Sequence, residues 1–222
     1  MAIRAVFFDF DGTLVDTLPV AFEAFQAVFK TYDHREVTAA ELVAMFGPTE
    51  DAIIQRNLTN QEAVPQAILD YYAIYKLGHA DKIPHNQEMI DLLNYLKQQG
   101  IKLAVITGKS KAAYEISCEA LGMLDYFDLA VTGDDVDKPK PDPEGIFAAL
   151  HTLGVDRTEA VFVGDSNADI VAGHAAGIRT YGVHWLSTYQ SAVFDPLPAV
   201  IFHKISDFQA LLQTEIAAQQ SC

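Results

Sequence analysis

Five short runs of β-branched and aromatic residues, separated by stretches with helical spacing, constrain this chain more than any other feature. They place strands at Arg4 to Asp9, Lys102 to Thr107, Asp128 to Thr132, Ala160 to Gly164 and Arg179 to Val183, with a sixth at Val200 to His203. Between them, amphipathic helices are expected at Gln87 to Gln99, with Met89, Leu93 and Leu96 on one face, and at Ser110 to Leu121, Pro143 to Leu153 and Asn167 to Ala176. Gly100 suits a left-handed helix end, and Asp142-Pro143 suits an N-cap followed by proline. Strand and helix in alternation imply an α/β fold with a parallel sheet. The stretch from Asp16 to Asp81 departs from this pattern. It carries Phe22, Phe25, Phe29, Leu42, Phe46, Ile68, Tyr71, Tyr72 and Tyr75 at helical spacing and no convincing strand. The expected organisation is a core of residues 1–15 and 82–222 with a small all-helical domain, residues 16–81, inserted after the first strand.

Charge narrows the partners. Fifteen Lys and Arg against thirty Asp and Glu give a formal net charge of -15, so the long-range field repels nucleic acid and acidic membranes. No apolar stretch approaches the ~18 residues of a membrane span. The N-terminus has no leader-like pattern, so the expected location is the cytoplasm. Cys118 and Cys222 lack metal-ligand spacing and read as free thiols.

Chemistry concentrates at the expected strand ends. Asp9 and Asp11, in Asp9-Phe10-Asp11-Gly12-Thr13, are two acids at spacing two, and two close carboxylates resist joint ionisation without a cation. Thr107-Gly108-Lys109-Ser110 puts a hydroxyl and free N–H groups where a helix begins, a place that suits an anion. Asp137-Lys138-Pro139-Lys140-Pro141-Asp142-Pro143 holds its lysines on a stiff extended segment. Gly164-Asp165-Ser166-Asn167-Ala168-Asp169 supplies two more acids, one helical turn apart. Each motif also has a local reading as a turn or a helix cap. Together they fall at the carboxyl ends of successive parallel strands, where open α/β sheets bind ligands. Carboxylates with open positions suit Mg²⁺, and the N–H cradle suits phosphate.

In this order the motifs resemble the haloacid dehalogenase superfamily, specifically its phosphatase branch with a helical cap inserted after the first motif. The resemblance covers nearly the whole chain and implies a Rossmann-like parallel-sheet core. It implies that Asp9 is the nucleophile, that Asp11 is general acid and then base, that Thr107 and the Gly108 N–H bind phosphoryl oxygens, and that Lys138 bridges phosphate and Asp9, with Lys140 in reserve. It further implies Mg²⁺ held by Asp9, the Asp11 carbonyl and Asp165, with Asp169 bound through water or orienting a ligand. The implied activity is Mg²⁺-dependent hydrolysis of a small phosphorylated metabolite, of the phosphoglycolate, sugar phosphate or pyrophosphate type, through an aspartyl-phosphate. The acid at Asp11 speaks against the dehalogenase and phosphonatase branches. The β-phosphoglucomutases carry a histidine where this chain has Ala21, which speaks against a phosphomutase. A non-catalytic binding module is the other alternative.

The linkers near residues 15–17 and 82–84 suit a cap that closes over the crevice, with the turn Gly47-Pro48 facing it. An inward Glu50 would repel a carboxylated substrate, whereas Arg35, Arg56 or Lys76 would attract one. The stripe Tyr71, Tyr72, Tyr75 reads as cap core, and His174, His184 and Trp185 as packing or surface residues. No heptad or apolar patch announces an oligomer; a monomer is expected, with a dimer possible through the cap or the loop from His184 to Pro198. The tail from Ala217 is expected to fray.

Overall fold

The computed structural model describes residues 2–220, so Cys222 lies outside the described residues. Among these the strands are β1 (Ala5–Phe8), β2 (Lys102–Ile106), β3 (Leu129–Val131), β4 (Ala160–Gly164), β5 (Arg179–Val183) and β6 (Ile201–Phe202). They form one parallel sheet in the order β3-β2-β1-β4-β5-β6. β1 therefore sits between β2 and β4, and all three end at the same edge.

The central strands β1, β2 and β4 are buried on both faces, which is why they read as continuous apolar runs. Residues alternate between two cores. Val6, Phe8, Leu103, Val105, Val161 and Val163 point one way, where they meet Met89, Leu93 and Leu96 of α5 (Gln87–Gln98), Cys118 of α6 (Lys111–Leu121) and Phe208, Leu212 and Ile216 of α9 (Ile205–Gln220). Ala5, Phe7, Ala104, Ile106 and Phe162 point the other way, onto Ile146, Ala149 and Leu150 of α7 (Glu144–Leu153) and Ala172 and Ala176 of α8 (Asn167–Ala176). Helix α9, Ile205–Gln220, lies where the sequence suggested no element, and the last two residues of the tail expected to fray lie outside the described residues.

The insertion is helical as expected: α1 (Leu18–Asp33), α2 (Ala39–Met45), α3 (Glu50–Asn57) and α4 (Val64–Lys82). These helices share their own core, with Phe25, Phe29, Leu42, Ile54, Tyr71 and Tyr75 inside it. Ala113 of α6 joins that cluster, so the insertion is seated on the sheet-covering layer. A capping box at Thr38 and Glu41 starts α2. No helix among the described residues is long and apolar enough to cross a membrane.

Candidate active site

Register brings the first two acids together. Phe8 pairs with Val163, and the Asp9 N–H donates to the Val163 carbonyl at 2.8 Å, so Asp9 and Asp165 leave neighbouring strands side by side. Asp169 enters from the first turn of α8, where it forms a capping box with Ser166. Carboxylate oxygens of the three residues lie within 4.8 Å of one another, and all three side chains are buried. The chain between Asp9 and Val15 turns tightly to allow this. Gly12 has φ 83°, and a β-carbon there would lie 2.4 Å from an Asp165 oxygen, so glycine is required both by conformation and by close approach.

The acids are held from several sides. Asp165 accepts from Thr13 Oγ1 at 3.0 Å and from the Gln190 N–H at 2.7 Å. The Trp185 indole N–H donates to the Thr13 carbonyl at 2.7 Å, which ties the first motif to the loop after β5. Asp169 Oδ2 accepts from the Ser166 N–H at 3.0 Å and from its hydroxyl at 2.6 Å, while Oδ1 faces a lysine. Both Asp169 oxygens are thus engaged by protein donors.

That lysine is Lys140, and the expectation for Lys138 is corrected here. Lys140 Nζ lies 2.6 Å from Asp9 Oδ1, 2.6 Å from Asp169 Oδ1 and 2.8 Å from the Ile106 carbonyl. Lys138 is exposed, because the Asp137 and Lys138 N–H groups donate to the Glu144 carboxylate at 2.9 and 3.0 Å and hold that stretch on the outer side of the start of α7. The sequence Lys138-Pro-Lys140-Pro-Asp142-Pro143 contains Lys-Pro-x-Pro in two overlapping registers, and the second one reaches the crevice.

One ammonium does not balance three buried carboxylates. Burial first, then Asp169 and Asp11, push the Asp9 carboxyl up to about 7 against the lowering effect of Lys140. Burial first, then Asp9 and Asp169, hold Asp165 well above the usual carboxylate range. A divalent cation would relieve both, and a compact set of hard oxygen donors fits Mg²⁺.

Thr107 and Gly108 line the same cavity. The Thr107 hydroxyl oxygen accepts from the Lys109 N–H at 3.2 Å, which leaves its own proton to donate. No hydrogen bond takes the Gly108 N–H among the described residues. The rest of the expected anion cradle is occupied: the Ser110 N–H donates to Glu50 Oε2 at 2.6 Å, the Lys111 N–H to Asp134 at 2.8 Å and the Ala113 N–H to Ser110 Oγ at 3.1 Å. Among the described residues, the donors left open at this strand end are therefore the Thr107 hydroxyl and the Gly108 N–H rather than the whole helix start.

Asp11 sits at the boundary between sheet and insertion. Its Oδ1 accepts from Thr17 Oγ1, at the start of α1, and from Lys109 Nζ at 3.1 Å. Lys109 has no role in the reading of Thr107-Gly108-Lys109-Ser110 as an anion site. Its side chain is only 3% exposed, and its ammonium also lies 3.3 Å from Glu50.

The cavity, about 140 Å³, is lined on the side of the insertion by Leu18, Ala21, Phe25, Phe46, Gly47, Pro48, Glu50 and Ile53. The Gly47-Pro48 turn and Glu50 thus face the acids. Glu50 is not a free charge, since Lys109 and the Ser110 N–H hold it. Arg35 is engaged elsewhere, with the Asn57 carbonyl and over the Phe29 ring, and Arg56 and Lys76 are exposed outside the cavity lining. Tyr71 and Tyr75 are buried in the helical core, and Tyr72 reaches Ser110 Oγ at 2.8 Å.

Comparison with known proteins gives the family and the fold. The model of a family described as haloacid dehalogenase-like hydrolase matches residues 6–183. A pyrophosphatase PpaX of Bacillus pumilus is 31% identical over 210 residues, which cover 95% of this chain and 96% of the relative. The crystal structure of CbbY from Rhodobacter sphaeroides in complex with phosphate superposes with a TM-score of 0.81 at 25% identity, covering 93% of this chain and 96% of that one. A predicted phosphoglycolate phosphatase from Haemophilus somnus, at 23% identity, shares the fold with a TM-score of 0.81 over 94% of this chain and 97% of its own.

Proposed function

This chain belongs to the phosphatase branch of the haloacid dehalogenase-like hydrolases, and on that premise we propose that it hydrolyses a small phosphorylated metabolite with Mg²⁺, through an aspartyl-phosphate on Asp9. The observation that carries the proposal is the junction at Asp9, whose carboxylate meets Lys140 on one side and the cluster with Asp165 and Asp169 on the other, beside Thr107 and Gly108.

In the first half-reaction an Asp9 oxygen bonds to phosphorus as the bond to the leaving oxygen breaks, and Asp11 gives that oxygen its proton. In the second, water bonds to phosphorus as the Asp9–phosphorus bond breaks, and Asp11 takes a proton from the water. Lys140 offsets charge on Asp9 and on the transferring phosphoryl, and Thr107 and Gly108 orient its oxygens. Held by Asp9, Asp165 and the Asp11 carbonyl, with Asp169 orienting the set, Mg²⁺ would supply electrostatic stabilisation of the phosphoryl charge. The helical insertion acts as the cap and excludes water from the crevice.

Pyrophosphate, the substrate named for the Bacillus pumilus relative, stands with phosphoglycolate and sugar phosphates as the candidates. Hydrolysis is favoured over mutase chemistry because Ala21, which lines the cavity, brings no acid–base group. A cytoplasmic location goes with a soluble small-molecule substrate. The test is phosphate release from these compounds with Mg²⁺ and with excess chelator. Release that falls to background with chelator is expected; release indifferent to chelator contradicts the metal requirement. Isomerisation of a sugar phosphate that needs added bisphosphate, with no phosphate released, contradicts hydrolysis.

A further inference from the structure

Lys109 is a buried cation for which the reaction as described has no task. Taking an ammonium out of water is costly unless carboxylates meet it, and this one meets two: Asp11 at 3.1 Å and Glu50 at 3.3 Å. Its charge also stands 4.8 Å from the centre of the Tyr75 ring, so α3 and α4 of the cap enclose it from above. Both side-chain donors to Asp11, Lys109 Nζ and Thr17 Oγ1, go to the same oxygen, Oδ1. Among the described residues Oδ2 has no donor, and Asp11 lines the cavity beside Asp9.

We propose that Lys109 is a positioning residue for the proton transfer. Together with Thr17 it fixes Asp11 by one oxygen so that the other, Oδ2, is presented to the leaving group and then to water. Two donors on one oxygen stop the carboxyl from rotating, and a general acid contributes only when it is within hydrogen-bond reach of the oxygen it protonates. Glu50 completes the arrangement. It holds Lys109 with one oxygen and the Ser110 N–H with the other, so the clamp on Asp11 is assembled by contacts from both the cap and the sheet layer. Lys109 meets Asp11 and the cap residue Glu50, whereas Lys140 meets Asp9 and Asp169, and this difference in partners separates its role from that of Lys140. The inference rests on Asp11 being the acid.

The experiment compares an alkyl phosphate, whose leaving oxygen needs a proton, with p-nitrophenyl phosphate, whose leaving group needs little help. Wild type, Lys109→Met, Lys109→Arg, Thr17→Val and Asp11→Asn are measured on both with Mg²⁺, and folding is followed by thermal melting. Lys109→Met is expected to lower kcat on the alkyl phosphate by about 100-fold, the lower end of general-acid effects, and on p-nitrophenyl phosphate by a few-fold at most. Lys109→Arg should restore much of the loss, and Thr17→Val should repeat the selectivity, which tests the clamp if Lys109→Met fails to fold. Equal losses on both substrates, a rise in KM alone, or no loss in either Lys109→Met or Thr17→Val overturns the proposal. Asp11→Asn separates the two levels: if it shows no selectivity, the acid assignment itself fails; if it does and the clamp variants do not, only the role of Lys109 fails.

Discussion

Asp9→Asn is expected to abolish phosphate release, by about 10,000-fold or more, while leaving the protein folded. Removing a covalent nucleophile leaves only binding and electrostatics to act on the substrate, and single losses of this kind are among the largest seen in enzymes. The fold should tolerate the change for a specific reason. Asp9 is one of three buried carboxylates that repel one another, and its neutral isostere removes part of that repulsion. Lys140 keeps Asp169 and the Ile106 carbonyl as partners, so its charge is not orphaned. Phosphate release and thermal melting, measured together, check both halves. Substantial turnover in the variant would remove Asp9 as nucleophile, and collapse of the fold would show that its carboxylate is structural.

The second large effect separates two lysines two residues apart. Lys140→Met should lower kcat/KM by about 100- to 1,000-fold, the scale on which a single group stabilising transition-state charge acts. It should also destabilise the metal-free protein, by about 3–5 kcal/mol, because breaking a buried ion pair leaves Asp9 and Asp169 without their cation. Added Mg²⁺ should recover part of the stability, since a cation at the cluster replaces some of the lost charge. Lys138→Met should stay within a few-fold of wild type in both measurements, as its side chain is exposed and only its backbone N–H is engaged. The opposite pattern would return the function to Lys138.

Much of the architecture was legible because it rests on local pattern. Strands buried on both faces leave apolar runs, and β4, β5 and α8 fall on the residues expected; the other strand ends differ by at most one residue, where fraying and capping decide. Helix α9 was legible too, since Ile205, Phe208, Leu212 and Ile216 recur at helical spacing and form its buried face, but that pattern was not read as an element. Asp9 and Asp165 come together because parallel register makes their strands neighbours, and Asp169 joins them from the first turn of α8. The lysine was not decidable in the same way. Lys138 and Lys140 satisfy one motif in two registers, and what selects between them is Glu144 gripping the backbone at Asp137 and Lys138. Lys109 was hidden for a related reason. Its meaning lies in Glu50, 59 residues away, and in Asp11, 98 residues away, and nothing local to Thr107-Gly108-Lys109-Ser110 announces either contact. Glu50 shows the converse: read alone it repels anions, yet beside Lys109 and the Ser110 N–H it is a structural partner.

The central claim, that phosphate leaves the substrate by way of Asp9 and only then passes to water, is tested most directly by stereochemistry at phosphorus. A monoester made chiral at phosphorus with sulfur and an oxygen isotope is hydrolysed in water carrying a third label, and the configuration of the product is read. Each in-line displacement inverts the centre, so transfer first to Asp9 and then to water predicts overall retention. Inversion would mean a single direct attack by water, and it would contradict the account.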